Sequence, residues 1–88
     1  MNLLFTPHGW ADYHFWQEND KKTRKRINDL LKDISRNGAF VGIGMPEALS
    51  GNLKGYFSRR IDKENRLAYT IRGDDVVVLS CRYHYGDK

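Results

Sequence analysis

The 88-residue chain contains one cysteine, two prolines and three histidines. The single Cys81 excludes an internal disulfide and a zinc site built on cysteines. No repeat or low-complexity stretch divides the chain, and this length supports only one hydrophobic core. We therefore expect a single domain over residues 1–88, in which Cys81 is a buried, inert thiol.

The sequence also lacks a long apolar run. Its start, MNLLFTPHGW, becomes polar too early for a signal peptide or a membrane-spanning helix. We therefore expect a cytoplasmic protein without a membrane partner.

Basic residues exceed acidic ones, with 15 Lys and Arg against 11 Asp and Glu, a net charge of +4 and a pI near 9.4. This excess is typical of proteins that bind an anionic partner, such as nucleic acid or an acidic protein. Many small basic domains bind neither, so the charge leaves the partner open.

The N-terminal half predicts a short strand and two helices. After NLLF, Thr6 and Pro7 are typical of a helix start, and the helix is expected to run to about Glu18. Asn19 or Asp20 can cap a second helix that ends at Gly38. Its apolar residues recur at the spacing of one buried helical face. They are Ile27, Leu30, Leu31 and Ile34.

Five basic residues lie away from that apolar stripe, on the other side of the second helix. They are Lys21, Lys22, Arg24, Lys25 and Arg26. A charged run of this kind is usually a solvated face, but it could also be a ridge that contacts phosphates.

The C-terminal half predicts a glycine-rich loop followed by three strands. The loop, residues 39–55, is long for a connector and contains one carboxylate, Glu47. The segments YFSRRI, RLAYTI and VVVLSCRY are joined by short turns, which favours an antiparallel meander. The fold class is therefore α+β, with a short N-terminal strand and two helices packed on one face of an antiparallel sheet.

Alternation along these strands predicts which side chains share a face. Placing the apolar sets under the helices puts Val77, Leu79, Cys81 and Tyr83 there. It puts four cationic or titratable groups on the open face: Arg60, Arg66, Arg82 and His84. Arg59 is a misfit that must escape along an edge or find a carboxylate.

An open face of this composition could cleave RNA. Such a reaction needs a base for the ribose 2′-OH, an acid for the leaving 5′-oxygen, and cations for the charge on phosphorus. Glu47 could be the base, His84 the acid, and Arg66 and Arg60 the stabilising cations. Tyr56 and Tyr85 could stack on bases or donate to phosphate.

No motif with metal-ligand spacing is present, because the three histidines are far apart. We expect no metal and no cofactor. The residues alone leave two other classes open, a non-catalytic domain that binds an anion such as RNA and a module whose cationic face binds an acidic protein.

The chain resembles the YoeB (Txe/YoeB) toxins of the RelE superfamily. The resemblance is carried by the segments WADYHFWQENDKKTRKRINDLLKDI, PEAL, SRRI, RLAY and CRYHY, and covers nearly the whole sequence. It implies a RelE-like microbial RNase fold and a toxin that cuts mRNA in the ribosomal A site. It also implies an antitoxin of the YefM (Phd) type as partner, and a homodimer stays open.

The resemblance also implies roles for single residues. Glu47 matches the general base, His84 the general acid, Arg66 the residue that stabilises the transition state, and Tyr85 a Tyr needed for activity. Arg60 matches an Arg that orients phosphate. We further expect phosphate or substrate contacts from Arg59, Lys54, Arg82 and Tyr56. One departure is Ser50, where relatives often carry a Lys; Lys54 lies nearby.

Overall fold

The computed structural model describes residues 1–84, which form two helices and a five-stranded sheet. In chain order the elements are β1 (Asn2–Phe5), α1 (Pro7–Asn19), α2 (Lys21–Asn37), β2 (Glu47–Ala48), β3 (Phe57–Arg60), β4 (Arg66–Arg72) and β5 (Asp75–Ser80). The strand order across the sheet is β1-β5-β4-β3-β2.

The α+β class and the packing of both helices on one sheet face are confirmed, but the sheet is mixed and not wholly antiparallel. Strands β2 to β5 pair antiparallel, whereas β1 pairs parallel with β5. A parallel neighbour needs a crossover connection, which the two helices supply. The sequence of β1 alone is compatible with either direction.

Both helices begin at the predicted caps. The hydroxyl of Thr6 accepts a hydrogen bond from the N–H of Gly9 at 3.0 Å, with Pro7 in the first helical position. The carboxylate of Asp20 accepts from the N–H of Thr23 at 3.1 Å and begins α2. Gly38 ends α2 with φ of 90°, a backbone conformation that glycine adopts without strain.

The hydrophobic core lies between the helices and the sheet. The predicted stripe of α2 is buried in full and packs against side chains of the two central strands. Those strand residues are Leu67, Tyr69, Val76 and Val78. At about 25 cal/mol per Å² of apolar surface, burial of this kind is the main stabilising contribution to the fold.

The predicted alternation along β5 is wrong at Val77 and Leu79. Val76 and Val78 face the helices instead, because they pair with Ile71 and Tyr69 of β4. A register shift then lies between Tyr69, opposite Val78, and Ala68, opposite Ser80. A bulge of this kind inserts one extra residue and reverses the alternation after it. Cys81 therefore returns to the core, as predicted.

Arg59 is buried inside the fold, and the expectation that it contacts substrate phosphate is wrong. Its side chain is 0% exposed, and its Nη1 forms an ion pair with Oδ2 of Asp33 at 2.5 Å. The other bonds of the guanidinium go to the hydroxyl of Tyr69 and to the carbonyls of Gly38, Val41 and Ile43. All five N–H donors of an arginine are thus satisfied.

This arginine determines the path of the loop between α2 and β2. Three of its acceptors are loop carbonyls, the hydroxyl of Tyr69 donates to the carbonyl of Ala39 at 2.6 Å, and Asp33 accepts from the N–H of Ile43 at 3.1 Å. Gly42, with φ of 132°, lies against Asp33 and Arg59, where a Cβ atom would collide with both. We call Asp33, Arg59 and Tyr69 the loop brace.

The loop brace predicts a dependence of stability on acid. The hydrogen bond from Arg59, helped by the N–H of Ile43, holds the pKa of Asp33 below its ordinary value of about 3.9. The unfolded state therefore binds the proton more tightly, and this contribution is present above about pH 3.9 and is lost as pH falls through the folded-state pKa. We expect the difference in urea midpoint between wild type and Asp33→Asn to shrink on acidification.

The matched control is Asp74→Asn, since Asp74 is an exposed residue in the turn between β4 and β5. Its midpoint should follow that of the wild type throughout titration from roughly pH 6 to pH 3. A difference between wild type and Asp33→Asn that is independent of pH would contradict the assignment.

Helix α1 holds the end of β5 through hydrogen bonds to its backbone. The buried carboxylate of Asp12 accepts from the N–H of Cys81 at 3.0 Å, and the indole N–H of Trp16 donates to the carbonyl of Cys81 at 2.7 Å. Burial raises the pKa of the Cys81 thiol, which keeps it protonated. The chain therefore leaves the core from a fixed point at residue 81.

Candidate active site

A small pocket opens on the sheet face that is turned away from the helices. Its volume is about 260 Å³. Its walls combine one carboxylate, two guanidinium groups and a hydroxyl with part of the loop before β2. The lining residues are Met45, Pro46, Glu47, Ser58, Arg60 and Arg66.

Strand pairing explains why these side chains meet. Glu47 lies directly opposite Ser58, and Arg60 lies directly opposite Arg66. Directly opposed residues point to the same side of a sheet, and so do residues two apart on one strand. Arg60 is two residues after Ser58, so the two pairs form neighbouring rows on one face, as the alternation of β3 and β4 predicted.

Glu47 is held at the sheet edge by short pieces of regular structure. The N–H of Arg60 donates to the carbonyl of Gly44 at 2.7 Å, and the N–H of Leu49 donates to the carbonyl of Tyr56 at 2.9 Å. Leu49 is buried and fastens the chain after Glu47. The carboxylate itself is exposed, so a substrate can reach it.

The two arginines of the pocket differ in their surroundings. Arg60 is exposed, whereas Arg66 is half-buried and donates through Nη1 to the carbonyls of Asp62 at 2.8 Å and Asn65 at 3.1 Å. Those bonds hold one end of the Arg66 guanidinium against the β3–β4 turn. A guanidinium held in this way beside an exposed one is suited to binding a phosphate group from two sides.

His84 does not line the pocket, but the residue before it is bonded to the backbone of Arg66. The N–H of Arg66 donates to the carbonyl of Tyr83 at 3.0 Å, and the N–H of Tyr83 donates to the side-chain oxygen of Asn65 at 2.6 Å. His84 is exposed and directly follows this anchored residue. Tyr83 itself is exposed with φ of 63°, so the expectation that it anchors the strand in the core is wrong.

Three further sequence candidates stand outside this geometry. Tyr85 lies outside the described residues. Lys54 is exposed after the short helical turn Gly51–Leu53, and Tyr56 is half-buried just before β3. Neither Lys54 nor Tyr56 lines the pocket.

Arg82 does not join the open face, which corrects the prediction from strand alternation. Its guanidinium carbon lies 3.5 Å from the ring centroid of Phe15 on α1 and 4.7 Å from that of Tyr83. Strand β5 has already ended at Ser80, so alternation no longer applies at residue 82. Stacking on aromatic rings stabilises the guanidinium there.

The basic face of α2 is exposed for the most part and forms a shallow surface of its own. Lys21, Lys22, Arg24 and Lys25 line it together with Asn28. Lys25 pairs with Asp29 at 3.1 Å, an exposed pair of small energetic weight. Arg26 differs, because it donates to the carbonyls of Ile61 and Arg60 and ties α2 to the end of β3.

Sequence reasoning did not assign roles to Ser58, Asn65, Asp12 or Trp16. The alternation of β3 already placed Ser58 beside Arg60, so a signal for it existed. The others act through hydrogen bonds to distant backbone groups, and no local pattern marks such contacts.

In the part of the chain that the structure describes, no three His, Cys, Asp or Glu side chains are grouped to hold a metal ion. Within residues 1–84, neither helix has the length and apolar character to cross a membrane.

The chain is similar to known proteins in both sequence and structure. Residues 5–85 match the family model described as YoeB-like toxin of bacterial type II toxin-antitoxin system. Toxin YoeB of Synechocystis is 54% identical over 85 residues, which cover 97% of this chain and 98% of that protein.

Solved structures give the same result. The toxin in the heterotetrameric YoeB–YefM complex of Staphylococcus aureus superimposes with a TM-score of 0.91 at 53% identity, covering 97% of this chain and 98% of that one. A YoeB dimer from the same organism has the same TM-score, identity and coverage.

Proposed function

Because the chain belongs to the YoeB family of bacterial type II toxin–antitoxin toxins, we propose that it is an endoribonuclease that cleaves mRNA on the ribosome. The observation that carries this proposal is the pocket that unites Glu47, Arg60 and Arg66 on one sheet face. An anionic substrate with an abstractable proton suits this combination of one carboxylate and two guanidinium groups.

The proposed reaction is metal-free and uses side chains as acid and base. Glu47 removes the proton of the ribose 2′-OH, whose oxygen attacks the adjacent phosphorus, and His84 protonates the departing 5′-oxygen. Arg66 and Arg60 stabilise the negative charge that builds on the phosphoryl oxygens. No water takes part in this step. The products are a 5′-hydroxyl and a 2′,3′-cyclic phosphate, or the 3′-phosphate that forms when water opens the cyclic phosphate.

The pocket is too small to hold an RNA strand without further contacts outside it. It offers about 260 Å³ and two arginines, which is too little to hold several nucleotides in a reactive geometry. We propose that the ribosome presents the mRNA in its A site, and that the exposed cations of α2 contact ribosomal RNA. Lys21, Lys22, Arg24 and Lys25 are suited to this contact, and Arg26 less so because its donors are engaged. Such a substrate would locate the activity in the cytoplasm.

We propose that a YefM-type antitoxin neutralises the toxin, and that the toxin can form a dimer. The support comes from similar proteins of Staphylococcus aureus, whose structures are a YoeB–YefM heterotetramer and a YoeB dimer. The net charge of +4 favours an acidic partner segment.

The proposed function is tested with purified toxin and ribosomes that carry a defined mRNA. We expect cleavage within the A-site codon, 5′ fragments that end in a 2′,3′-cyclic phosphate, and loss of cleavage when antitoxin is added first. Mapping of mRNA ends gives the position, and sensitivity of the 3′ ends to a phosphatase that opens cyclic phosphates gives the chemistry.

Binding to ribosomes without any cleavage would favour a non-catalytic ribosome-binding protein instead. Fragments with 5′-phosphates and 3′-hydroxyls would contradict the attack by the 2′-OH. Either result would overturn the proposal.

A further inference from the structure

The residue before His84 is fixed by bonds to its backbone. Tyr83 donates its N–H to Oδ1 of Asn65 at 2.6 Å and accepts from the N–H of Arg66 at 3.0 Å. Its φ of 63° is a backbone conformation that residues other than glycine rarely adopt. More than half of Tyr83 is exposed. Burial therefore does not hold Tyr83 in this conformation; the two backbone bonds do, together with the contact between its ring and the guanidinium of Arg82.

Asn65 is itself oriented by a second side chain. Its amide Nδ2 donates to the two carboxylate oxygens of Asp62 at 3.1 and 3.2 Å. The same carboxylate accepts from the backbone N–H groups of Glu64 and Asn65 at 2.9 and 2.8 Å. With Nδ2 engaged by Asp62, Oδ1 is directed at Tyr83. A relay of hydrogen bonds thus runs from Asp62 through Asn65 to the chain that carries His84.

We propose that Asn65 is a positioning residue that sets the place of His84 relative to Arg66, and that Asp62 orients Asn65 for this task. The inference rests on the proposed function, in which His84 is the acid and Arg66 stabilises the charge on phosphorus. Asn65 acts through the backbone of Tyr83 and contacts no reacting atom. Loss of its Oδ1 removes one of the two backbone bonds of Tyr83, and we expect this loss to shift the imidazole of His84 relative to the leaving oxygen.

The location of Asn65 separates this role from a role in folding. Asn65 is half-buried in a surface turn and its side chain contributes nothing to the hydrophobic core of residues 1–84. Core contacts and the bonds of α1 to Cys81 hold β5 whether or not Asn65 is present. Its removal should therefore affect the rate of cleavage much more than the stability of the fold.

The test measures single-turnover cleavage on ribosomes with Asn65→Ala. We expect the maximal rate to fall by about 10- to 100-fold, because displacements near 1 Å in a reactive geometry have effects of this size. The ribosome concentration at half-maximal rate should not change, because Asn65 makes no proposed contact with the ribosome. The melting temperature should stay within about 4 °C of the wild type.

Two further variants show whether the hydrogen bond is responsible. The double variant Asp62→Asn with Asn65→Asp exchanges the two groups, keeps an acceptor for the N–H of Tyr83 and avoids two adjacent carboxylates. It should restore the rate to within about threefold of the wild type, since every bond of the relay can re-form. Asn19→Ala is the matched control, because Asn19 also bonds through its amide but lies at the end of α1, and its rate should not change.

Several results would overturn the inference. One is a cleavage rate of Asn65→Ala within twofold of the wild type, and another is a double variant as slow as Asn65→Ala. A third is a melting temperature of Asn65→Ala lowered by more than about 10 °C, which would show that Asn65 stabilises the fold. If the wild type cleaves and Asn65→Ala cleaves equally well, only this inference fails. A wild type that does not cleave overturns the proposed function and this inference with it.

Discussion

Replacing Glu47 by Gln should abolish most of the cleavage, lowering the single-turnover rate on ribosomes by about 10²- to 10⁴-fold. Glutamine has nearly the same shape but cannot accept the proton of the 2′-OH. Glu47 is exposed and sits on a two-residue strand, so the change leaves the core intact. The measurement is the rate of mRNA cleavage at saturating toxin, with binding to ribosomes and to antitoxin followed in parallel.

The control for this experiment is Glu18→Gln, which makes the same chemical change on an exposed residue of α1. It should cleave at the wild-type rate. If Glu47→Gln cleaves as fast as Glu18→Gln, Glu47 is not the base. The pocket would then have to act through its arginines alone.

Replacing Arg59 by Met should destabilise the protein severely, by about 3 to 5 kcal/mol in the free energy of unfolding. The methionine fills part of the volume but leaves Asp33 and three loop carbonyls without their donor. For a domain of this size, a loss of 3 kcal/mol lowers the melting temperature by roughly 12 °C or more. Thermal and urea unfolding followed by circular dichroism measure it.

The neighbouring Arg60 provides the matched control. It is the same residue type on the opposite face of β3, exposed and part of the pocket. Arg60→Met should keep the wild-type melting temperature within about 4 °C and reduce cleavage. If both variants are equally stable, the loop brace does not support the fold in the way its hydrogen bonds indicate.

The elements that could be predicted from the sequence are those with a local pattern. The α2 stripe, the caps at Thr6 and Asp20, and the stop at Gly38 each follow from residues within one or two turns. Strands β3 and β4 could be assigned to faces because apolar and polar residues alternate along them, with Arg59 as the exception. That alternation was sufficient to predict that Arg60 and Arg66 lie on the same face of the sheet.

Strand β5 could not be assigned in the same way. Its VVVL run is apolar at every position, so composition does not distinguish the two faces, and the register shift beside Ala68 depends on how β4 pairs. Pairing across the sheet also determined the direction of β1.

Only part of the candidate site could be predicted, because several of its contacts join residues that are far apart in the sequence. Alternation identified Arg59 as a residue that needs a carboxylate, but Asp33 lies 26 residues away and no spacing rule joins them. The residue types on the open face already suggested Glu47 as base, His84 as acid and Arg66 as stabiliser, and the family resemblance implies the same roles. The hold of Asn65 on Tyr83 joins a turn to the chain end across 18 residues and has no local signature.

The loop brace has a consequence for how this toxin can diversify. Arg59 donates hydrogen bonds to backbone carbonyls of the loop, and every amino acid has such a carbonyl. The side chains of Val41 and Ile43 are exposed and take no part in these bonds. The surface chemistry of the loop can therefore change from one descendant to another while the path to Glu47 is inherited unaltered. Substitutions at these exposed positions can therefore change the surface beside the pocket and leave the backbone that carries Glu47 in place.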